Sequence, residues 1–371
     1  MTQAVAAATH PMVGRPIEEA DTPALWVELD ALEHNIATMA RRAADSGVDW
    51  RPHVKASKSP DLARMLIEGG ATGITCAKVS EAEVMAAGGL DDILIANEIV
   101  GPQKIARLVR VAGQATICVA VDDESNLREI SAAASEAGVN VDILVDVNVG
   151  LNRCGVTPDQ APALARAAMD LAGVSLRGLM GYEGHVMGIS DLEEKEAASR
   201  ASADVLSEAT RALEAAGIAV RVRSGAGTGN YWIASRLGAL TEIQSGGGVL
   251  MDVSYADNMK VPDHRFALFV QAQVVSTARP GRAIGDAGWK TTGRHTGLPR
   301  VVSPEGVHCA GLNAEHCVLD LDEGVALRPG TRITLIPHYS DSTVLLHRSL
   351  YAVRGGSIEA VWDVAGAGML Q

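Results

Sequence analysis

Short apolar runs alternate with segments of helical periodicity over the first two-thirds of the chain. The runs are WRPHVK (50–55), GITCAK (73–78), DILIANE (92–98), TICVAVD (116–122), VDILVDV (141–147), LRGLMGYEGH (176–185), VRVRSGAG (220–227) and LTEIQSGGG (240–248). Between them, SPDLARMLIEGG, SEAEVMAAGG, GPQKIARLVRVAG and DESNLREISAAASEAG space their apolar residues by three and four, as one face of a helix requires. Apolar strands alternating with helices indicate a parallel sheet covered by helices. Eight such units predict a closed (β/α)8 barrel of the TIM type. A doubly wound open sheet is the alternative. Ahead of the barrel, TPALWVEL (22–29) reads as a strand, and DALEHNIATMARRAADSG as a helix that ends at Gly47.

The alternation stops near residue 255. FALFVQAQVVSTAR (266–279) is a long β-like run, followed by RAIGDAG, GVHCAGL, HCVLDL, TRITLIPH, STVLLH and YAVRGGSIEAVW. RGGS (354–357) is a hairpin turn signal. The fold class is therefore α/β: a barrel over 30–259, then an antiparallel β domain over 260–371. The strand at 21–29 is free to join that second domain. Residues 1–20 read as a flexible arm.

Composition narrows the function classes. The chain is 371 residues long, 47% hydrophobic and 21% charged, with a net charge of −13. Nucleic acid is excluded as a partner, since phosphate contacts need clustered Lys and Arg. No stretch of about 18 apolar residues exists to span a membrane, and the first residues carry no secretory pattern. The cysteines number five, without a disulfide-like spacing. Reduced thiols and acidity predict a soluble, cytoplasmic protein.

Barrel chemistry collects at the carboxyl ends of the strands. There lie His53 and Lys55, Lys78, Asn97 and Glu98, Asp122 and Asp123, Asp146, Asn148 and Arg153, and Tyr182, Glu183 and His185. SGAGTG (224–229) and SGGG (245–248) follow the last two strands. Glycine lets backbone amides approach an anion closely, and this fold often holds phosphate there. Ser224 and Thr228 add hydroxyl donors; a pair of tight, ligand-free turns is the alternative. Lys55 at the barrel mouth is either a salt-bridged structural lysine or an amine able to attack a carbonyl. Pyridoxal 5'-phosphate (PLP) combines an aldehyde for the lysine with a phosphate for the loops.

The segments DTPALWVELDALEHNI, RPHVKASKSP, KVSEAE, GLNRCGV, GYEGH, SGAGTGNY, EIQSGGGVLMD and DAGWK resemble, in order, the D-threonine aldolase / D-serine dehydratase family, which has the alanine-racemase-type PLP fold. The resemblance runs from about residue 20 to the C-terminus. It implies Lys55 as the Schiff-base lysine, Arg153 beside the phenolic oxygen of the cofactor, and Tyr182 beside its ring. It implies Gly227, Thr228 and Gly229, with Gly246 and Gly247, as the phosphate loops, and Ser224 and Gln244 as further cofactor contacts. Arg153 as an ion-pair partner of Asp146, and Tyr182 as a packing residue, are the bland alternatives. His53 either orients the cofactor or is a core histidine. His185 is a candidate acid/base for the 3-hydroxyl of the substrate, or a polar loop residue.

The resemblance also implies a divalent metal (Mn, Mg or Zn) on a His-x-Asp or His-x-Cys pair after a proline. Here the segment is PHYSDSTVLLH (337–347). Asp341 holds the second ligand position, but Tyr339 holds the first. Two options follow: His338 and Asp341 bind the metal after a one-residue shift, or the metal is lost and Tyr339, His338 or His347 handles the hydroxyl proton. The expectation is a D-3-hydroxyamino-acid aldolase acting on a small D-amino acid, as a homodimer. The rivals are a dehydratase of D-serine or D-threo-3-hydroxyaspartate, an amino-acid racemase, and a non-catalytic PLP-binding protein.

Overall fold

A barrel strand, covered by helices outside and by packed side chains inside, needs only a short apolar run, and most of the expected runs contain such strands. The computed structural model describes residues 10–295 and 297–371. Strand β1 (Ala24–Glu28) leads into helix α1 (Leu29–Asp45), whose first turn is capped by the Glu28 carboxylate accepting from the Ala31 amide at 2.6 Å. The barrel strands follow: β2 (Asp49–Trp50), β3 (Ile74–Cys76), β4 (Asp92–Glu98), β5 (Thr116–Val121), β6 (Val141–Asp146), β7 (Val174–Gly181), β8 (Val222–Gly225) and β9 (Glu242–Ile243). All pair in parallel, in the order β2-β9-β8-β7-β6-β5-β4-β3. A parallel bridge between His53 and Thr75 closes the remaining seam, with the Thr75 amide donating to Pro52 O at 2.9 Å. The sheet is thus a closed barrel and not the doubly wound alternative.

Helices α2 (Pro60–Glu68), α3 (Val79–Ala87), α4 (Pro102–Ala112), α5 (Glu124–Ala137), α6 (Ala161–Asp170) and α7 (Leu192–Ala215) wrap the outside. α1 completes the ring, although it precedes the barrel in sequence. Its buried Asn35 donates to Val249 O at 3.0 Å and Arg265 O at 2.7 Å, which pins α1 to the turn after β9. Inside the barrel, Leu94, Ala120, Leu144 and Met180 form one small apolar layer. Below it lies charge: Arg51 binds Glu242 and Asp92, each at 2.7 Å.

The second sheet contains β10 (Leu268–Arg279), β11 (Arg282–Gly285), β12 (Arg300–Ser303), β13 (Val307–Leu312), β14 (Cys317–Leu321), β15 (Arg332–Ile336), β16 (Ser349–Arg354) and β17 (Ser357–Asp363). It is mainly antiparallel. β1 lies in its middle, antiparallel to β10 and parallel to β16. The β16–β17 hairpin turns on Gly355 and Gly356, both at positive φ, as a tight hairpin turn requires.

Three expectations are corrected. Strand β2 stops at Trp50, because Pro52 has no amide to donate; Lys55 sits on a 3-10 turn, Val54–Ala56, and not at a strand end. STVLLH is not a strand. Residues Ser340–Val344 form a short helix, with the Ser340 amide donating to Asp252 at 2.7 Å and the Thr343 hydroxyl to Thr292 O at 2.6 Å. A four- to six-residue apolar run does not by itself distinguish the two. Of the expected flexible arm, residues 1–9 lie outside the described residues. The rest of it packs: Ile17 and Ala20 are buried with Val353 and Ile358, and Pro16 bridges Ser357.

Lys58 and Glu81 form an ion pair buried under the segment that carries Lys55. Removing one partner strands the other charge. Glu81→Ala should destabilise the fold by about 3–5 kcal/mol, read as a lowered urea midpoint. Replacing both partners with apolar residues should recover much of that loss.

Candidate active site

A cavity of about 440 Å³ opens at the carboxyl ends of the barrel strands. Ten of the sequence-predicted residues line it: His53, Lys55, Arg153, Tyr182, Gly227, Thr228, Gln244, Gly246, Gly247 and Tyr339. Lys55 stands at the mouth with its side chain 41% exposed, Nζ 3.8 Å from Asp341 Oδ2. The same Oδ2 accepts from the Tyr339 hydroxyl at 3.2 Å, and Oδ1 is buried without a hydrogen-bond partner among the described residues. Burial, then the Asp341 charge, pushes the Tyr339 phenol well up. The Arg153 guanidinium lies over the Tyr182 ring, 5.5 Å from its centroid. No ion pair joins Arg153 to Asp146 among the described residues.

The two glycine turns meet at the far wall. A Cβ on Gly246 would stand 2.3 Å from the His53 carbonyl oxygen, and one on Gly247 the same distance from the Tyr255 hydroxyl. No side chain fits at either position. The Thr228 hydroxyl accepts from the Gly248 amide at 3.3 Å and ties the turns together. Behind them, Glu183 accepts from the Ala226 amide at 3.2 Å and the Asn230 side chain at 2.8 Å. Lys195, fully buried, donates to Gly229 O at 2.8 Å and Met259 O at 2.5 Å, and burial brings its ammonium down to about 8. His53 accepts weakly at Nδ1 from the Lys55 amide, at 3.4 Å. Burial, then the charges of Lys55 and Lys58, pushes its imidazole well below the usual range, so it is neutral at physiological pH.

Five expected residues stand elsewhere. Ser224 is completely buried, and its hydroxyl is spent on Glu242 Oε1 at 2.6 Å, so it offers nothing to the cavity. Gly229 is covered by Met187 and Met259, which stand between it and the cavity. His185 is exposed on the outer side, near Ser202 and packed on Gly150. Asp341 lies behind Tyr339, and reaches the cavity through it and Lys55. His338 turns away toward Gly297, because Tyr339 is extended (φ −143°, ψ 118°) and neighbouring side chains on extended backbone point to opposite sides. The His338–Asp341 pair is therefore not formed, and the residues present do not fit the expected metal. Tyr255 and His295, whose rings flank Tyr339 at 5.8 and 5.4 Å, were missed. Both come from irregular segments without motif or periodicity. A second cluster, Glu98, Asp122 and Cys154, has its ligand-type atoms within 4.8 Å of one another beside Arg153.

The alanine racemase N-terminal domain family matches residues 27–252, and a putative serine dehydratase domain matches 267–353. A D-threonine aldolase of Arthrobacter sp. is 38% identical over 96% of this chain and 95% of its own length. The chain belongs to the D-threonine aldolase family, on the alanine racemase fold. A 3-hydroxy-D-aspartate aldolase of Paracoccus denitrificans (strain Pd 1222) is 36% identical over 96% of this chain and 94% of its own. The crystal structure of D-threonine aldolase from Filomicrobium marinum superimposes with a TM-score of 0.94 at 36% identity, covering 97% of this chain and 99% of that one. A D-threo-3-hydroxyaspartate dehydratase from Delftia sp. (strain HT23) stands further off, at 29% identity over 92% of this chain and 97% of its own.

Asp146, buried at the carboxyl end of β6, carries a titration with a defined sign. Burial, then the Glu98 charge, raises the Asp146 carboxyl. Unfolded, it titrates near 4. Between the two values the native state holds a proton that the unfolded state has lost, so stability falls as pH rises through that window. Asp146→Asn should gain stability relative to the parent between about pH 5 and pH 9, measured as a widening difference in Tm.

Proposed function

We propose that the cavity holds PLP and that the protein is a D-3-hydroxyamino-acid aldolase, splitting the Cα–Cβ bond to glycine or a related amino acid plus an aldehyde. The carrying observation is the pairing of one accessible amine, Lys55, with the Gly246–Gly247 turn, which has no room for a Cβ, and with the Gly227–Gly229 turn tied to it by Thr228. Gly227, Thr228, Gly246 and Gly247 supply the phosphate cradle, Arg153 a donor for the phenolic oxygen, and Tyr182 a wall for the ring. Lys55 is the amine that takes the aldehyde carbon. When bound, the cofactor supplies an electron sink for the pair released from the broken bond.

The chain itself handles the proton. Retro-aldol cleavage needs a base at the 3-hydroxyl; loss of that hydroxyl as water needs an acid or a cation there. Asp341, with Tyr339 donating to it and Lys55 opposite, places a proton acceptor on this wall. That favours aldol cleavage over dehydration. Asp341 Oδ2 would receive the hydroxyl proton through Tyr339, and Lys55 Nζ stands on the same side of the cavity to return one to Cα. No step is routed through a metal. His53, held neutral, orients the Lys55 segment and does not exchange protons with substrate.

The assembly is proposed to be a homodimer. Trp289, on the short helix Trp289–Thr292, and Leu345 and Leu346, after the helix Ser340–Val344, expose apolar surface near the mouth and give it a face. No helix among the described residues is long and apolar enough to cross a membrane. A cytoplasmic setting is proposed from the free thiols.

Incubation with D-threonine should yield glycine and an aldehyde. A keto acid and ammonia would replace the aldolase reading with the dehydratase. Asp341→Asn should lower kcat by on the order of 10²-fold or more while keeping the visible absorbance of the bound cofactor. Lys55→Ala should lose that absorbance.

A further inference from the structure

The buried cations Arg51 and Lys58 each have a carboxylate beside them. Arg51 sits between Glu242 and Asp92, each at 2.7 Å, and Lys58 pairs with Glu81. Lys195, on α7 and fully buried, pairs with no carboxylate among the described residues. Its ammonium donates to Gly229 O at 2.8 Å and Met259 O at 2.5 Å, and the Trp232 ring centroid lies 5.4 Å away. These contacts satisfy its N–H groups without neutralising its charge. Burial alone brings the ammonium down to about 8. Glu183, the buried carboxylate behind the same turn, is held by the Ala226 amide and the Asn230 side chain, and burial raises its carboxyl. It makes no ion pair with Lys195. On α7, Glu194 and Glu196 are exposed; on the Met259 segment, Lys260 is exposed and Asp257 pairs with Arg300. A buried charge without a counter-ion is costly to keep.

The proposed phosphate cradle has the opposite deficit. Gly227, Thr228, Gly246 and Gly247 offer neutral donors only. Lys55 and Arg153 are the two lysine or arginine side chains lining the cavity among the described residues. Lys55 takes the aldehyde and Arg153 the phenolic oxygen. A phosphate ester, with nearly two negative charges at neutral pH, thus meets no cation in direct contact. The carbonyl that Lys195 holds belongs to Gly229, the neighbour of Thr228 on the same turn. We infer that Lys195 is the counter-cation of the cofactor phosphate and acts across the Gly227–Gly229 turn without touching it. The inference rests on the PLP reading above. Lys195 is a positioning residue with two effects. It ties the turn to the Met259 segment by two backbone carbonyls. Its charge also attracts the phosphate through buried protein, where screening is weak. The second effect separates ligands: a phosphate ester gains from it, and phosphate-free pyridoxal does not.

The test titrates the cofactor-free full chain with PLP, with pyridoxal and with inorganic phosphate. Visible absorbance follows the first two and calorimetry the third. Lys195→Gln removes the charge and keeps a donor. It should weaken PLP and phosphate by on the order of 10-fold or more and leave pyridoxal at the parent affinity. A loss shared equally by pyridoxal marks a packing role and overturns the proposal. Unchanged affinities for PLP and phosphate overturn it too, and leave PLP binding intact. A second measurement needs no variant. In the parent chain with ¹³C at the lysine ε-carbons, inorganic phosphate should keep the Lys195 ammonium protonated to higher pH. No such rise overturns the proposal even where Lys195→Gln fails to fold. Failure of the parent to take up PLP, seen as no visible absorbance, overturns the PLP reading and this proposal together.

Discussion

The site depends on one close approach between backbones. The turn after β9 lies directly on the segment that carries Lys55. The His53 amide donates to Gln244 O at 2.9 Å and the Arg51 amide to Ile243 O, also at 2.9 Å. Gly246 then presses against His53 so tightly that a Cβ has no room. This contact joins the last barrel strand to the first and closes the ring at its upper rim. It also sets the distance between the amine at the mouth and the anion cradle on the wall. Neither group is placed by its own loop; both are placed by barrel closure.

The surroundings of that contact are polar where a barrel core is ordinarily apolar. Only one thin apolar layer, Leu94 to Met180, separates the cavity from the rest of the interior. Arg51, Glu242, Ser224 and Gln244 run beside it from the bottom of the barrel to the floor of the cavity. Burying such a series is favourable only if every member is satisfied. Each link has its partner: Arg51 pairs with Asp92 and Glu242, Ser224 donates to Glu242, and Gln244 donates to Ser224. The acidic chain thus keeps its charges in fixed, directed pairs under the site. Glu183 and Lys195 do similar work behind the first glycine turn, holding it by its backbone from the outer side.

The architecture was legible in the sequence because parallel barrel strands announce themselves as short apolar runs between amphipathic helices. The two glycine turns and Lys55 were legible because a backbone cradle permits almost no other residue. What escaped has physical causes. The run at 342–347 has an apolar count that suits a strand, but the Ser342 and Thr343 hydroxyls donate to the Tyr339 carbonyl, and Thr343 also to Thr292 O, which holds the segment in a helical turn. Ser224 looked like a phosphate donor; its hydroxyl direction is set by Glu242, eighteen residues away in sequence. His338 and Tyr339 differ by one position, and on extended backbone that decides which one faces the cavity. His185 follows β7 closely, yet the 3-10 turn there carries it to the outer surface.

The central claim is that Lys55 is the amine that holds the cofactor against these turns. Borohydride reduction of the PLP-loaded protein, followed by proteolysis and mass spectrometry, tests it directly. The account predicts one peptide with the added phosphopyridoxyl mass, with the modification on Lys55. The same mass on Lys58, Lys78 or any other lysine, or on no peptide at all, would contradict it.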